Sequence, residues 1–247
     1  MSNGGSALIG LITYGLVARV LNEAELGVWA FFLTLFTLYD MSRTGLLSNA
    51  MNKMWGETED DEQHAQLLGS SWQLATITNL FGAVFGLLAY LIYPFLSMDQ
   101  LFRTVPLFFS AVVILSLPQT VSMWLLNARM QFERLLFLRL MVIVPYLAGA
   151  AAIYWHFGVA ESVESVVEGA WRALPWVFVA YLGSFGLASI VCVVLGWSSI
   201  RHFSNGVQNR RKALLKFGKF SMGTLVSSNL LKSSDTFLLM LSHSMRK

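Results

Sequence analysis

The chain has 247 residues, 55% of them hydrophobic and 13% charged, with 8 Trp, 18 Phe and a mean hydropathy of +0.59. A soluble domain carries about a quarter charged residues, so the composition excludes an ordinary cytosolic enzyme. It points instead to an all-α polytopic membrane protein, because the apolar runs approach the roughly 20 residues that cross a hydrocarbon core of about 30 Å. The net charge of +3 sits in short connectors between those runs. That placement reads as membrane orientation, with no nucleic-acid partner.

Seven spans are predicted in chain order, at about 6–21, 27–47, 72–96, 105–126, 135–155, 174–197 and 214–241. The first is short and opens on Gly and Ser. Asn22-Glu23-Ala24-Glu25 precedes the second, and its acids suit a helix N-terminus. Polar connectors are expected at Lys53–Gln66, with the acidic run Glu57–Glu62, and at Ser97–Arg103, Asn127–Arg134, His156–Arg172 and Ile200–Lys212. The acidic run lacks the Asp, Asn and Gly spacing of a calcium loop and reads as a solvated loop. Strand-length alternation of the kind a barrel needs is missing from the sequence.

With the N-terminus cytoplasmic, the inner connectors hold Lys53, Arg129, Arg134, Arg201, Arg210, Arg211 and Lys212, against Arg19, Arg103 and Arg172 outside. Positively charged loops stay inside, which favours that orientation and leaves Arg246 and Lys247 external.

Motifs for chemistry are lacking. No Gly-x-x-x-x-Gly-Lys-Ser/Thr phosphate loop occurs. His64, His156, His202 and His243 are scattered without an i+4 partner, so neither metal binding nor nucleophilic catalysis is supported. Cys192 is a lone thiol in an apolar run, read as a small core residue. Gly82 and Gly86 form one Gly-x-x-x-Gly, read as helix packing.

Charges within the spans carry more information, since an ionisable group at bilayer depth costs several kcal/mol and usually marks a pathway. Asp40 and Arg43 are three apart and can pair on one face of the second span, and Lys232 and Asp235 repeat that spacing in the seventh. For each pair an internal salt bridge and a functional role are both open. Arg139 stands a turn inside the fifth span, near enough to Arg134 to snorkel. Lys216 and Lys219 snorkel to headgroups at the start of the seventh. That span is also polar at Ser221, Thr224, Ser227, Ser228, Asn229, Ser233 and Ser234; such a face must meet protein or water. Pro118 and Pro145 fall inside spans four and five and permit bending.

The segment Ala18-Arg19-Val20-Leu21-Asn22-Glu23-Ala24-Glu25-Leu26-Gly27-Val28-Trp29-Ala30, followed by Tyr39-Asp40-Met41-Ser42-Arg43-Thr44-Gly45-Leu46, resembles the opening of polysaccharide and O-antigen flippases. These are members of the multidrug, oligosaccharidyl-lipid and polysaccharide exporter superfamily. Lys216-Phe217-Gly218-Lys219-Phe220-Ser221, with Ser233-Ser234-Asp235, is similar to their seventh helix. The resemblance implies a bacterial inner-membrane protein of two lobes around a central cavity, which flips undecaprenyl-diphosphate-linked sugar repeat units to the periplasmic leaflet. It implies a cationic cavity using Arg43 and Arg139, with Lys232, and with Asp40 and Asp235 exchanging ions or holding the cations. No cofactor is expected beyond coupling to a proton or sodium gradient. Expected partners are the lipid-linked oligosaccharide, membrane lipids and a polysaccharide polymerase or glycosyltransferases.

On this reading residues 1–200 form a six-helix N-terminal lobe, 201–212 a basic cytoplasmic connector and 213–247 the first helix of an incomplete second lobe. Two departures from the family pattern, the stop after one helix of the second lobe and the lack of a basic leader, give the expectation of a fragment. A multidrug exporter of the same superfamily would favour acids and aromatics over arginines in its cavity. A non-transporting scaffold or remnant is the other alternative, and a membrane-embedded enzyme is disfavoured by the missing His and Asp constellation.

Overall fold

The structure, a computed structural model, describes residues 2–58, 60–95, 100–158 and 173–244, with side chains described at 8–58, 60–95, 102–157, 173–225 and 227–228. Every regular element among the described residues is helical. The elements are α1 (Ser2–Val20), α2 (Glu23–Gly56), α3 (Asp61–Ile92), α4 (Thr104–Leu115), α5 (Leu117–Ala128), α6 (Phe132–Ile153), α7 (Leu174–Val194) and α8 (Gln208–Ser244). Four of them, α2, α3, α6 and α7, are long and apolar enough to cross a membrane, and α4 with α5 makes a fifth if the bent pair is one span. In α1 the apolar stretch is the shorter Leu8–Val20.

Local chemistry fixes the element starts. Asn22 and Glu25 form a reciprocal capping box: the Asn22 side chain accepts from the Glu25 N–H at 2.8 Å, and the Asn22 N–H donates to the Glu25 carboxylate at 3.3 Å. Two otherwise orphaned donors are thereby satisfied at the α2 start. Asp60 caps α3 from one side only, its carboxylate accepting from the Glu62 N–H at 3.3 Å.

Three expectations change. The predicted fourth span is not one helix: it breaks at Ser116 into α4 and α5, whose axes differ by 48°. Pro118 has no N–H to continue the α4 ladder, and its ring crowds the carbonyl four residues back. The acidic connector is not an open loop either, because α2 continues to Gly56 and α3 starts at Asp61. Its polar residues therefore stand largely on helix extensions, where the Trp55 and His64 rings lie 4.1 Å apart. Lastly, the basic residues Arg210, Arg211 and Lys212 form the first turns of α8, and the connector before them is a short 3-10 helix, Ile200–Asn205.

Packing follows from side-chain size. Trp29, Phe32 and Phe36 of α2 meet Phe178, Tyr181 and Phe185 of α7 in a continuous aromatic cluster. A second core joins Leu47 and Met51 of α2, Leu67, Leu68 and Trp72 of α3, Trp124 and Leu125 of α5, and Leu214 of α8. Along α3 the glycines marked in the sequence sit on the packed face: a Cβ at Gly82 would lie 2.8 Å from the Tyr39 ring. On the opposite face Ile77, Leu80, Phe81, Val84, Phe85, Leu88, Leu91 and Ile92 are exposed. An uninterrupted apolar stripe of that length faces lipid more readily than water.

Candidate functional site

Helices α2, α5, α6 and α7 line a half-open cavity of about 410 Å³, within the size range of small-molecule sites. Its apolar wall includes Phe36, Trp124, Val142 and Phe185, and its polar lining includes Asp40, Arg43, Thr44, Ser48, Gln119, Thr120, Asn127 and Arg139. Three residues marked by their charge in the sequence, Asp40, Arg43 and Arg139, thus come to one cavity from two helices that are far apart in the chain. Lys232 and Asp235 fall on α8, but their side chains lie outside the described residues.

The spacing explains part of this arrangement. Residues three apart share a helix face, and Asp40 and Arg43 pair at 2.7 Å, with Arg43 buried at 3% exposure and Asp40 at 43%. Further partners of Arg43 come from elsewhere in the fold. Nε also donates to Asp40 at 2.8 Å; Nη1 donates to Asn79 Oδ1 at 3.3 Å and Ser116 Oγ at 3.2 Å; Nη2 donates to Thr120 Oγ1 at 2.8 Å. The Phe36 and Tyr39 rings flank the guanidinium, with centroids at 6.0 and 5.5 Å, and such faces attract a cation. A guanidinium has five N–H donors, and this one directs them at four protein side chains.

Arg139 reaches the cavity from the second turn of α6 and is partly exposed there. Among the described charged residues the lining therefore holds two guanidiniums against one carboxylate. Among apolar helices, where the dielectric is low, such an excess favours an anionic group. Gln119, Thr120, Asn127, Thr44 and Ser48 add neutral donors and acceptors of the kind that bind hydroxyls. The sequence reading missed these five, although Gln119 is an amide side chain inside the predicted fourth span, a signal that was there to use; Asn127 was assigned to the connector that follows. Asn79 and Ser116 were missed as well, since nothing local marks them as partners of Arg43.

The cavity lies toward the end of the bundle where α5 gives way to α6. The same end carries the turn between α2 and α3, as the Arg129 guanidinium over the Trp55 ring at 5.1 Å shows. Lys53, Arg134, Arg201, Arg210, Arg211 and Lys212 belong to this end by helix direction.

Fold and cavity together describe a helical protein with four or five helices long and apolar enough to cross a membrane, and a mostly apolar pocket whose charged lining is net cationic. No family model, curated protein or solved structure matches the chain.

Proposed function

We propose that this chain is a membrane transporter of the lipid-linked oligosaccharide flippase type, acting in a bacterial inner membrane. In this reading α1, α2, α3, the α4–α5 pair, α6, α7 and α8 make seven crossings with the N-terminus cytoplasmic, and the first six form one lobe of a two-lobed transporter. The observation that carries it is the cavity lined by Arg139 and the Arg43–Asp40 pair among otherwise apolar helices. A diphosphate offers the charge and geometry that guanidinium recognises, and guanidinium stays charged when desolvated. The amides and hydroxyls of Gln119, Asn127, Thr44 and Ser48 suit the hydroxyls of sugars. The substrate is then an undecaprenyl-diphosphate-linked repeat unit, with energy from a proton or sodium gradient and no covalent step. Glycosyltransferases that build the unit and a polymerase that consumes it are the expected neighbours.

The test uses the gene in place in its own host. Arg139→Ala should abolish surface polysaccharide while the amount of membrane-inserted protein holds, and Arg139→Lys should restore only part of it. Unchanged polysaccharide in Arg139→Ala would overturn the reading. A loss of drug tolerance with polysaccharide intact would favour a multidrug exporter of the same superfamily.

A further inference from the structure

The break between α4 and α5 leaves backbone groups in need of partners. Pro118 cannot donate to the turn before it, and an unpaired carbonyl at membrane depth costs several kcal/mol. Polar side chains hold the carbonyls on either side of Ile114, whose own helical donor Pro118 cannot supply. The Val113 carbonyl accepts from Asn79 Nδ2 at 2.8 Å and from Ser116 Oγ at 3.2 Å, and the Leu115 carbonyl accepts from the Ser189 hydroxyl of α7. Asn79 Oδ1, in turn, lies 3.0 Å from the Tyr39 hydroxyl and accepts from Arg43. Arg43 also donates to Ser116, at the break, and to Thr120, one turn beyond it. Thr120 Oγ1 continues to Gln119 Oε1 at 3.3 Å, and Gln119 Nε2 donates to the Met123 sulfur at 2.7 Å. Gln119, Thr120 and Met123 are cavity wall.

We infer that Arg43 is a positioning residue: its guanidinium pins the α4–α5 break at its observed bend and so sets which α5 side chains face the cavity. The inference does not depend on the cargo. A planar fork with five donors can hold Asp40, Asn79, Ser116 and Thr120 at once, whereas an ammonium with three donors at one point cannot. Arg43 thereby ties α2 and α3 to both sides of the broken span. Its N–H donors serve the protein, so Arg43 contributes its charge to the cavity of the proposed function and the placing of α5, and direct ligand contact falls to the other lining groups.

Hydrogen exchange of the whole chain in lipid nanodiscs, read by mass spectrometry, tests this. Peptides covering 112–120 should exchange at least tenfold faster in Arg43→Gln than in the native chain, while peptides from α1, α6 and α7 stay within twofold. Thr120→Val should loosen the same peptides to a smaller degree, and Arg139→Gln should leave them unchanged. Arg43→Lys keeps the charge, so it separates pinning from simple charge balance with Asp40: local exchange should remain fast in it. Native protection of 112–120 in Arg43→Lys would overturn the inference, as would native protection in Arg43→Gln. Acceleration spread evenly over the chain would also overturn it, by making Arg43 a general stability residue. If Arg43→Gln does not accumulate, the Arg43→Lys and Thr120→Val arms decide.

Discussion

A hydroxyl or amide in an apolar helix has two fates, and the difference sets its worth. Thr34 and Ser42 return their hydroxyls to carbonyls of their own helix, at 2.8 Å each; such bonds keep a side chain satisfied without linking elements. Asn79 instead donates to Val113 of α4 and accepts from Arg43 of α2. Asn79→Ala leaves a buried carbonyl with fewer donors and removes an acceptor from a buried guanidinium. The Val113 carbonyl keeps Ser116 Oγ, so the main loss is a buried Arg43 N–H left unpaired, at about 1–3 kcal/mol, and the variant should melt below the native protein in detergent. Thr34→Ala should move the midpoint little, because an exposed substitution away from special features stays within about 0.5 kcal/mol. Equal shifts in the two variants would deny Asn79 its bridging role. The Asp40–Arg43 pair was visible in the sequence from spacing alone. Asn79, Ser116 and Thr120 were not, because their partnership with Arg43 spans 36, 73 and 77 residues and has no local period.

Between elements, backbone approach decides more than hydrophobicity. Helix α8 lies against α2 through two glycines: a Cβ on Gly218 would collide with the Leu46 carbonyl, and one on Gly45 would come within 3.0 Å of Met222 Cα. The close approach lets Asn49 donate to the Ser221 hydroxyl and sets the Lys53 ammonium over the Phe217 ring at 4.8 Å. Part of the polar surface of the seventh predicted span thus meets protein, as its composition required. In a Cys192→Ala background, the pair Asn49→Cys and Ser221→Cys should cross-link readily under mild oxidation. Adding Gly218→Val should suppress the cross-link, since a branched side chain cannot share space with the Leu46 backbone. A cross-link that survives Gly218→Val would mean that α8 docks elsewhere. Apolar runs located the helices because a run of about 20 residues is a length signal. The same signal is blind to a break inside a run, so Pro118 could be read as a bend but not as a boundary. It is equally blind to helix that continues into polar sequence, which hid the α2 and α3 extensions.

For the whole molecule, the polar extensions and the basic residues collect at one end, and that end is built as a unit. The connector Ile200–Asn205 docks on the start of α3: Trp72 Nε1 donates to the Ser198 carbonyl at 2.6 Å and Gln73 Nε2 to the Phe203 carbonyl at 2.9 Å. Arg210 Nη2 donates to Gln63 Oε1 at 2.8 Å, and the Ser70 hydroxyl pairs with the backbone of Val207. Arg134 lies over the Trp197 ring at 5.9 Å, the kind of aromatic and cationic pairing that suits a headgroup layer. The opposite end, among the described residues, carries Arg19 and Arg103. Moving a cluster such as Arg210, Arg211 and Lys212 across the bilayer is costly, so this end should stay in the cytoplasm. Single cysteines at Asn209 and at Phe95, which is 87% exposed at the far end of α3, make the orientation measurable in a Cys192→Ala chain. An impermeant maleimide added to intact spheroplasts should label Phe95→Cys at once, and Asn209→Cys only after permeabilisation. The reverse order would invert the topology, placing the cavity nearer the periplasmic leaflet and removing cytoplasmic loading of a diphosphate cargo from the proposed function.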